Sequence, residues 1–288
     1  MAGGLTGREL VNRLSRRGIP VRALIRDPLK ADGLSSLPHV EIALGDMGRP
    51  ETLSQALRDV ERAMLISSSD PAMFDVQTRF AQEAVAAGVR HIVKLSGIMP
   101  EVDSPFRFAA MHGRIERRIE ELGAAFTHLR AGEFFHAYFR QVSAIVGRGA
   151  LMLPMEEARI ASIDIGDIAE VAARVLTGSG HEGKVYPLTG PHALTMSEVA
   201  EKLSRATGRP IRYVNVTPED ARLANLARGM SPYMADALYE LFAERRKGKE
   251  GNVSNVIPEV FAFSATSFDD FAERNAAIFR GEQPAPRI

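Results

Sequence analysis

The sequence predicts an α/β protein, in which a doubly wound parallel sheet is followed by a smaller C-terminal α/β region. Three observations support this fold class. The first half of the chain alternates short runs rich in Val, Ile and Leu with amphipathic helical patterns. Two glycines, Gly4 and Gly7, stand close together and lead directly into a helical pattern. The alternation loosens in the second half, so we expect one domain over residues 1–150 and a smaller one over residues 151–288.

The first half contains five strand patterns separated by helical patterns. The strands are expected at residues 21–26, 40–44, 62–67, 89–96 and 126–131. The helices are expected at residues 7–17, 50–58, 71–87 and 112–122. Strands and helices that alternate at this spacing predict parallel strands with right-handed crossovers, and strands rich in Val, Ile and Leu are typical of a sheet covered on both faces.

The second half mixes apolar segments with helices in a less regular order. Apolar segments lie at residues 160–164, 184–191 and 211–216. Helical patterns lie at residues 167–176, 196–208, 218–225, 234–246 and 267–279. The boundary near residue 150 is soft, because a strand from this half can return to the main sheet.

Composition and charge exclude several classes of protein. Lys plus Arg and Asp plus Glu are both 36, which argues against a protein that binds a phosphate backbone. The chain has no cysteine, so a disulfide framework, a thiolate metal site and a Cys nucleophile are excluded. The seven histidines show no paired spacing of metal ligands, and no metal is expected. No apolar run is long enough for a membrane span and no signal-peptide pattern is present, so we expect a cytoplasmic protein.

The glycine turn at the start of the chain predicts a phosphate site. Gly4, Leu5, Thr6 and Gly7 match the second half of a G-x-x-G-x-x-G turn, which places a dinucleotide pyrophosphate at a helix N-terminus. Such a turn follows a buried strand, but Met1 stands where the first glycine belongs. In a doubly wound sheet that strand is central, and without it its neighbours keep unpaired backbone groups. We therefore expect the native protein to begin upstream, with an apolar strand and a glycine.

Taken together, the motifs identify a family. The matching segments are GRELV (7–11), VRALIRDP (21–28), LGD (44–46), AGVRHIVKLSG (87–97), HGRIERRIEELG (112–123), FTHLRAGEF (126–134), DIGDIAEVAARVL (164–176) and YPLTGP (186–191). In this order they resemble the NmrA-like group of atypical short-chain dehydrogenase/reductases. The resemblance implies a Rossmann-like NAD(P)-binding domain over residues 1–150, here without its first strand and first glycine, and a substrate region over residues 151–288. It also implies similarity to NAD(P)H-dependent quinone and azo reductases.

Arg26, at the end of the first of these strand patterns, predicts the choice of cofactor. An acidic residue near this point bonds the ribose 2′-OH of NAD, whereas an Arg accommodates the 2′-phosphate of NADP. A guanidinium can form paired, charge-assisted bonds to phosphate. We expect NADP(H) to be preferred, with NAD(H) possible because Asp27 follows directly. The alternatives are a solvated Arg26 at a strand end, or Arg22 as the partner.

Two further turns are candidates for contact with the cofactor. In the family, the turn after the next strand lies near the adenine, so Asp46 could accept from the adenine amino group while Met47 packs against the ring. The alternative for Asp46 is an ordinary turn or cap residue. Ser67, Ser68 and Ser69 follow the third strand at its carboxyl end, where ligands collect in such sheets and where small polar groups suit a ribose. The alternative is a plain loop.

The catalytic candidates are Ser96, Lys94 and His112. The resemblance makes Ser96 the counterpart of the short-chain catalytic serine, and Lys94 lies two residues earlier on the same face of its strand. The usual Tyr-x-x-x-Lys is replaced by His112-x-x-x-Glu116, whose spacing of four favours one helix face. Neutral His112 could act as a proton donor, with Glu116 orienting it. The alternatives are a simple His–Glu helix pair and a Lys94 that contacts the cofactor.

An aromatic run follows the strand at residues 126–131. Phe134, Phe135 and Tyr138 are candidates to line an aromatic substrate pocket, although some of the run must be core. We expect Arg130 to be structural.

The function expected from these motifs is hydride transfer to a quinone-, azo- or enone-like acceptor. The alternatives are a non-catalytic NADP(H)-binding redox sensor, or a fragment unable to hold the cofactor. The expected partner is a small-molecule substrate, with no nucleic acid and no membrane, and with a protein partner only if the role is regulatory.

Overall fold

The computed structural model describes residues 2–286, and the chain divides into two compact units. The first comprises Met1–Ser104, Phe108–Ala131 and Ile165–Pro187. The second comprises Pro105–Arg107, Gly132–Asp164 and Leu188–Ile288. This division differs from the expected boundary at residue 150, because a late segment carrying a helix and a strand rejoins the first unit.

Eight strands and twelve α-helices lie within residues 2–286, and through most of the first unit the two kinds of element alternate. The strands are β1 Val21–Ile25, β2 Val40–Leu44, β3 Arg62–Leu65, β4 His91–Gly97, β5 Ala125–Ala131, β6 Ala150–Leu153, β7 Lys184–Leu188 and β8 Arg212–Asn215. The helices are α1 Leu5–Arg16, α2 Ser54–Leu57, α3 Met73–Ala86, α4 Arg107–Glu121, α5 Val142–Arg148, α6 Ile165–Thr177, α7 Met196–Thr207, α8 Pro218–Ala227, α9 Pro232–Arg245, α10 Val256–Phe261, α11 Phe268–Arg274 and α12 Ala276–Phe279. None of the helices within residues 2–286 combines the length and the apolar character that crossing a membrane requires.

The first unit holds two parallel sheets rather than one. β1 pairs with β2, with Val21 opposite Val40. The other sheet has the order β3-β4-β5-β7, in which β4 aligns with β3 on one side and with β5 on the other. Among the described residues, β1 and β3 are not joined by a ladder of hydrogen bonds.

A cavity of about 210 Å³ lies against the facing sides of β1 and β3, below α1. Its walls are mostly apolar and include Leu10, Val11 and Leu14 of α1 together with Leu24 of β1 and Ala63 of β3. This is where a central strand was expected from the glycine turn. Met1 lies outside the described residues. The Ala2 amide donates to the Leu24 carbonyl at 3.2 Å, so the chain enters the turn alongside β1.

Helices cover the sheets of the first unit because their apolar stripes need burial. α1 packs against α6, and Glu170 of α6 accepts hydrogen bonds from Arg13, Arg17 and Arg174. α3 and α4 bury Phe80, Ile115 and Ile119 with residues of β3 and β4 in one apolar core.

The second unit has its own core around the parallel pair β6 and β8. Aromatic side chains of α11 and α12, such as Phe271 and Phe279, pack with α7. α7 begins with a capping box at Thr195 and ends at Gly208, whose φ of +68° is the left-handed conformation that favours glycine. The helix expected over residues 267–279 is two helices, because the chain breaks at Asn275.

Candidate functional site

The N-terminus of α1 is open to an anion. Gly4 is its N-cap with an extended backbone, and no side chain caps the helix within the described residues. The first intrahelical bond is donated by the Arg8 amide to the Gly4 carbonyl at 2.9 Å, so the amides of Leu5, Thr6 and Gly7 precede the ladder. The first turn holds no acidic residue. Free amides and the positive end of the helix dipole make such a turn a binding position for phosphate.

Arg8 fixes the glycine turn to the segment after β1, which the sequence analysis missed. Its guanidinium donates to the carbonyls of Gly3 at 3.3 Å, Lys30 at 2.5 Å and Asp32 at 2.8 Å. The segment GRELV contained this residue, but only the fold shows that its side chain crosses to the next loop. The turn and the loop are therefore held together by three bonds from one side chain.

Arg26 follows β1 and remains a free cation. It is exposed and makes no hydrogen bond or ion pair within residues 2–286. Asp27 accepts from the Leu29 amide at 3.1 Å and caps the 3-10 turn Pro28–Ala31. The alternative cation, Arg22, is already bonded to Glu41 and to two backbone carbonyls. Of the two arginines, Arg26 is the one available to a phosphate.

Asp46 and Met47 both make contacts within their own part of the first unit. Asp46 accepts from the Gly48 amide at 2.9 Å, while its own amide donates to Thr52. This is the ordinary turn that the sequence left open as the alternative. Met47 is only 3% exposed and packs in the core with Leu57 and Leu65, so it offers almost no surface to a ring.

A buried glutamine joins the serine turn at the end of β3. Gln77 of α3 donates to Ser67 at 2.8 Å, and Ser67 donates to the Ser68 carbonyl at 3.0 Å. Gln77 is buried, and its carbonyl oxygen has no partner among residues 2–286. This residue was not among the sequence-based candidates, although an amide on the apolar face of a helix was a signal. Ser69 lies beside it in the same turn, half-buried.

A polar ladder connects α4 to β4 and β5. His112, Glu116 and Glu120 follow one another at intervals of four on α4, so they share a face of the helix. Each meets a different partner on the sheet. The pairs are His112 Nδ1 with Lys94 Nζ at 2.8 Å, Glu116 Oε2 with Arg130 Nη2 at 2.6 Å, and Glu120 Oε1 with His128 Nε2 at 3.1 Å. Because Lys94 aligns with His128 and Ser96 with Arg130 across β4 and β5, one face of the sheet carries all four.

The ladder corrects one expectation about His112. Glu116 was expected to orient this histidine, but its carboxylate is committed to Arg130. The two residues share a helix face that points to the sheet, so each reaches a different strand rather than its neighbour. Lys94 is the partner of His112, and Arg130 has the structural role expected of it.

Burial sets the charge states of the ladder. Lys94 is 0% exposed, and burial lowers its pKa to about 7, opposed by the nearby Glu116 carboxylate. Burial, with the Lys94 charge, holds the pKa of His112 well below its usual range, so this ring is neutral at neutral pH. Burial also lowers the pKa of His128 to about 4. Ser96 is buried, and its hydroxyl has no partner in the described part of the chain.

Gly97, which ends β4, makes room for the His112 ring. A Cβ at this position would lie 3.1 Å from Cδ2 of His112 and 3.7 Å from Nε2. The ring therefore packs against the backbone of β4, one residue beyond Ser96. Lys94 contacts the other ring nitrogen, Nδ1, which is separated from Nε2 by Cε1.

The three expected substrate residues belong to the second unit and differ in burial. Phe135 is a core residue, with its ring edge-on to Phe268 at 5.2 Å. Tyr138 also packs on Phe268, and burial raises its pKa to about 12. It lines a cavity of about 60 Å³ together with residues such as Arg140. Phe134 is half-buried. The fold thus leaves Phe134 and Tyr138 as candidates and gives Phe135 a packing role.

The first unit fits a dinucleotide at the carboxyl ends of its strands. Uncapped amides of α1 suit a diphosphate, and the free Arg26 suits a further phosphate. The unpartnered oxygens of Gln77 and Ser96 are buried polar groups that need a hydrogen-bond partner. No group of His, Asp and Glu that could hold a metal ion occurs among residues 2–286.

The comparisons with known proteins cover nearly the whole chain. A model of the NmrA-like family matches residues 1–272. An NAD(P)H azoreductase from Xenophilus azovorans is 36% identical over 276 residues, or 96% of each chain. A (4-alkanoyl-5-oxo-2,5-dihydrofuran-3-yl)methyl phosphate reductase from Streptomyces griseus is 34% identical over 282 residues, or 98% of each chain. The crystal structure of an NADPH-dependent quinone oxidoreductase from Escherichia coli, complexed with NADPH, superposes with a TM-score of 0.86 at 28% identity, covering 95% of this chain and 97% of the other.

Proposed function

The chain belongs to the NmrA-like family, and on that premise we propose that it is an NAD(P)H-dependent oxidoreductase that reduces a quinone-, azo- or enone-like acceptor. The observation that carries this proposal is the polar site of the first unit, where open helix amides, a free Arg26 and two unpartnered buried oxygens lie at the ends of the helix and strands that a dinucleotide would contact. Two relatives that match nearly the whole chain are named as an azoreductase and a reductase.

The cofactor assignment is NADP(H), with NAD(H) possible. The amides of Leu5, Thr6 and Gly7 would hold the diphosphate, and Arg26 would hold the 2′-phosphate that distinguishes NADP from NAD. When bound, the nicotinamide supplies a hydride. Ser67, Ser68 and Ser69 would contact the ribose at the end of β3, with Gln77 holding Ser67 in place.

The residues of β4 and α4 would supply the proton that completes the reduction. Ser96 offers a hydroxyl to the substrate or the nicotinamide, and His112 gives the proton from its ring. Neither the Tyr nor the Lys of the usual short-chain motif stands on this helix, which carries His112 and Glu116 instead. An acceptor of the quinone type suits this site, because its reduced anion is stabilised by delocalisation and needs little help from an acid.

The substrate is a small molecule, and the second unit is its proposed binding region. Phe134 and Tyr138 are the proposed contacts, since a flat apolar wall stacks a ring. The reaction is proposed to take place in the cytoplasm, without a membrane or nucleic acid. The alternative of a non-catalytic redox sensor is not favoured, because the two relatives with the highest identities given above are named as enzymes.

Cofactor binding and turnover test the proposal separately. Fluorescence titration with NADPH, NADP⁺ and NADH measures binding. The absorbance of NADPH, followed with a panel of quinones and azo dyes, measures turnover. We expect NADPH to bind and to be consumed, and consumption to fall sharply in Ser96→Ala and His112→Gln. His192→Gln, at an exposed histidine, is the matched control. Binding without consumption of NADPH by any acceptor would instead support the sensor.

A further inference from the structure

The amine of Lys94 is buried and in contact with His112. Its side chain is fully buried between β3, β5 and α4, with Leu65 and His128 as its aligned neighbours in the sheet. The amine donates to the Leu95 carbonyl at 3.1 Å and contacts Nδ1 of His112 at 2.8 Å. Lys94 was expected both as a catalytic and as a cofactor-binding residue. Its burial and its contact with Nδ1 favour a role through the histidine.

The contact determines which ring nitrogen of His112 carries the proton. A lysine amine in its charged form has only donors, so Nδ1 must accept, and the neutral ring then holds its proton on Nε2. Nε2 is the nitrogen that faces away from Lys94, next to Gly97. His112 is half-buried, whereas Lys94 is wholly buried. The histidine is therefore the outer member of the pair and the lysine the inner one.

We propose that Lys94 is a positioning residue for the reduction: it holds the His112 proton on Nε2 and replaces that proton after it has been donated. This inference rests on the proposed function. As the hydride adds to the acceptor, the N–H bond at Nε2 breaks and its proton joins the acceptor. At the same time Nδ1 takes a proton from Lys94 Nζ, which leaves a neutral amine and a neutral ring of the other tautomer. Water then protonates Nε2, and the proton on Nδ1 returns to Nζ, which restores the starting state before the next turnover.

The groups facing Lys94 support this exchange. From α4 come His112 and Glu116, from β5 come His128 and Arg130, and the neighbour from β3 is the apolar Leu65. Glu116 is neutralised by Arg130, so no carboxylate is bonded to the amine. The pKa of Lys94, near 7, allows the amine to lose and regain a proton at neutral pH.

The tautomer of His112 can be measured without cofactor or substrate. In ¹⁵N-labelled protein, a long-range ¹H–¹⁵N spectrum distinguishes a protonated from an unprotonated ring nitrogen, and His112→Gln identifies the signal. We expect Nε2 to carry the proton at pH 6, and the shift of Nδ1 to move with a midpoint near 7 as Lys94 titrates. In Lys94→Met the midpoint should disappear and the two tautomers should mix. Lys184→Met, at an exposed lysine, is the matched control.

The rate gives a second, independent readout. With a quinone, we expect the turnover of the wild type to fall above neutral pH, and that of Lys94→Met to be ten- to a hundredfold lower and flat over the same range, with the KM for NADPH unchanged. A proton on Nδ1 at pH 6 in the wild type would overturn the proposal, even if Lys94→Met failed to fold. So would an unchanged spectrum in Lys94→Met. If no acceptor is reduced at all, the proposed function fails, while the spectra still decide the role of Lys94.

Discussion

Filling the cavity between β1 and β3 should stabilise the protein and improve cofactor binding. The change is an N-terminal extension before Ala2 that adds a short apolar strand ending in glycine. The cavity measures about 210 Å³. At about 24 cal/mol per Å³, removing such a void contributes up to about 5 kcal/mol. Ordering the added residues costs about 1–2 kcal/mol each in backbone entropy. The new hydrogen bonds to β1 and β3, at about 1 kcal/mol each, offset this cost, and we expect a net gain of about 2 kcal/mol or more in the free energy of unfolding.

Denaturant unfolding of three chains provides the measurement. The unextended chain is compared with the chain that carries the apolar extension. A third chain carries an extension of equal length built from Ser and Gly, which controls for the effect of added length. Amide hydrogen exchange should show new protection in β1 and β3 only with the apolar extension, because a parallel strand between them would bond both. NADPH affinity should rise in the same chain, since the strand would fix the turn at Gly4. Equal stability of the two extended chains, without new protection, would refute the reasoning.

Three further outcomes are expected. Arg26→Ala should weaken NADPH binding by about tenfold or more and leave NADH binding nearly unchanged, because only NADPH offers a 2′-phosphate; equal losses in the two titrations would contradict the assignment. The pKa of His128 is lowered from 6.5 to about 4, so the unfolded chain takes up the proton first as the pH falls. Stability should therefore drop between pH 6.5 and 4 by about 3 kcal/mol from this residue alone, and denaturant unfolding of His128→Gln over that range should show a shallower fall. Glu116→Gln removes the buried carboxylate that accepts from Arg130, and should lower the free energy of unfolding by about 1–3 kcal/mol. Thermal unfolding measures this loss, and an unchanged melting temperature would show that the pair is dispensable.

The sequence predicted the fold of the first unit well, because its signals are local. Apolar runs with helices between them predict parallel strands. The position of Arg26 at the end of a strand follows from the order of these runs in the chain. The second unit was harder, since its apolar segment at residues 160–164 forms only isolated bridges. The break at Asn275 has no strong local signal.

The contacts of the site could not be predicted, because they depend on how α4 lies over the sheet. The interval between His112 and Glu116 favoured a pair on the helix, but both side chains turn to different strands. Met47 was expected at a ligand and is core instead, since a turn can direct adjacent residues to opposite sides. Gln77 bonds to a loop 10 residues away, and Arg8 to carbonyls 22 and 24 residues away, so nothing in their local pattern shows their partners.

The route of the chain through the first unit affects how it can fold during synthesis. Its sheet takes its last strand, β7, and one covering helix, α6, from residues that are translated only after Gly132–Asp164, the first long segment of the second unit. Until then the edge of β5 that pairs with β7 and the face of α1 that packs against α6 are exposed to solvent. A nascent chain that stops at Ala131 would expose both to solvent, and such surfaces promote aggregation. Expression of the first unit alone therefore requires the distal segment to be joined to it directly, as in a circularly permuted or internally deleted gene.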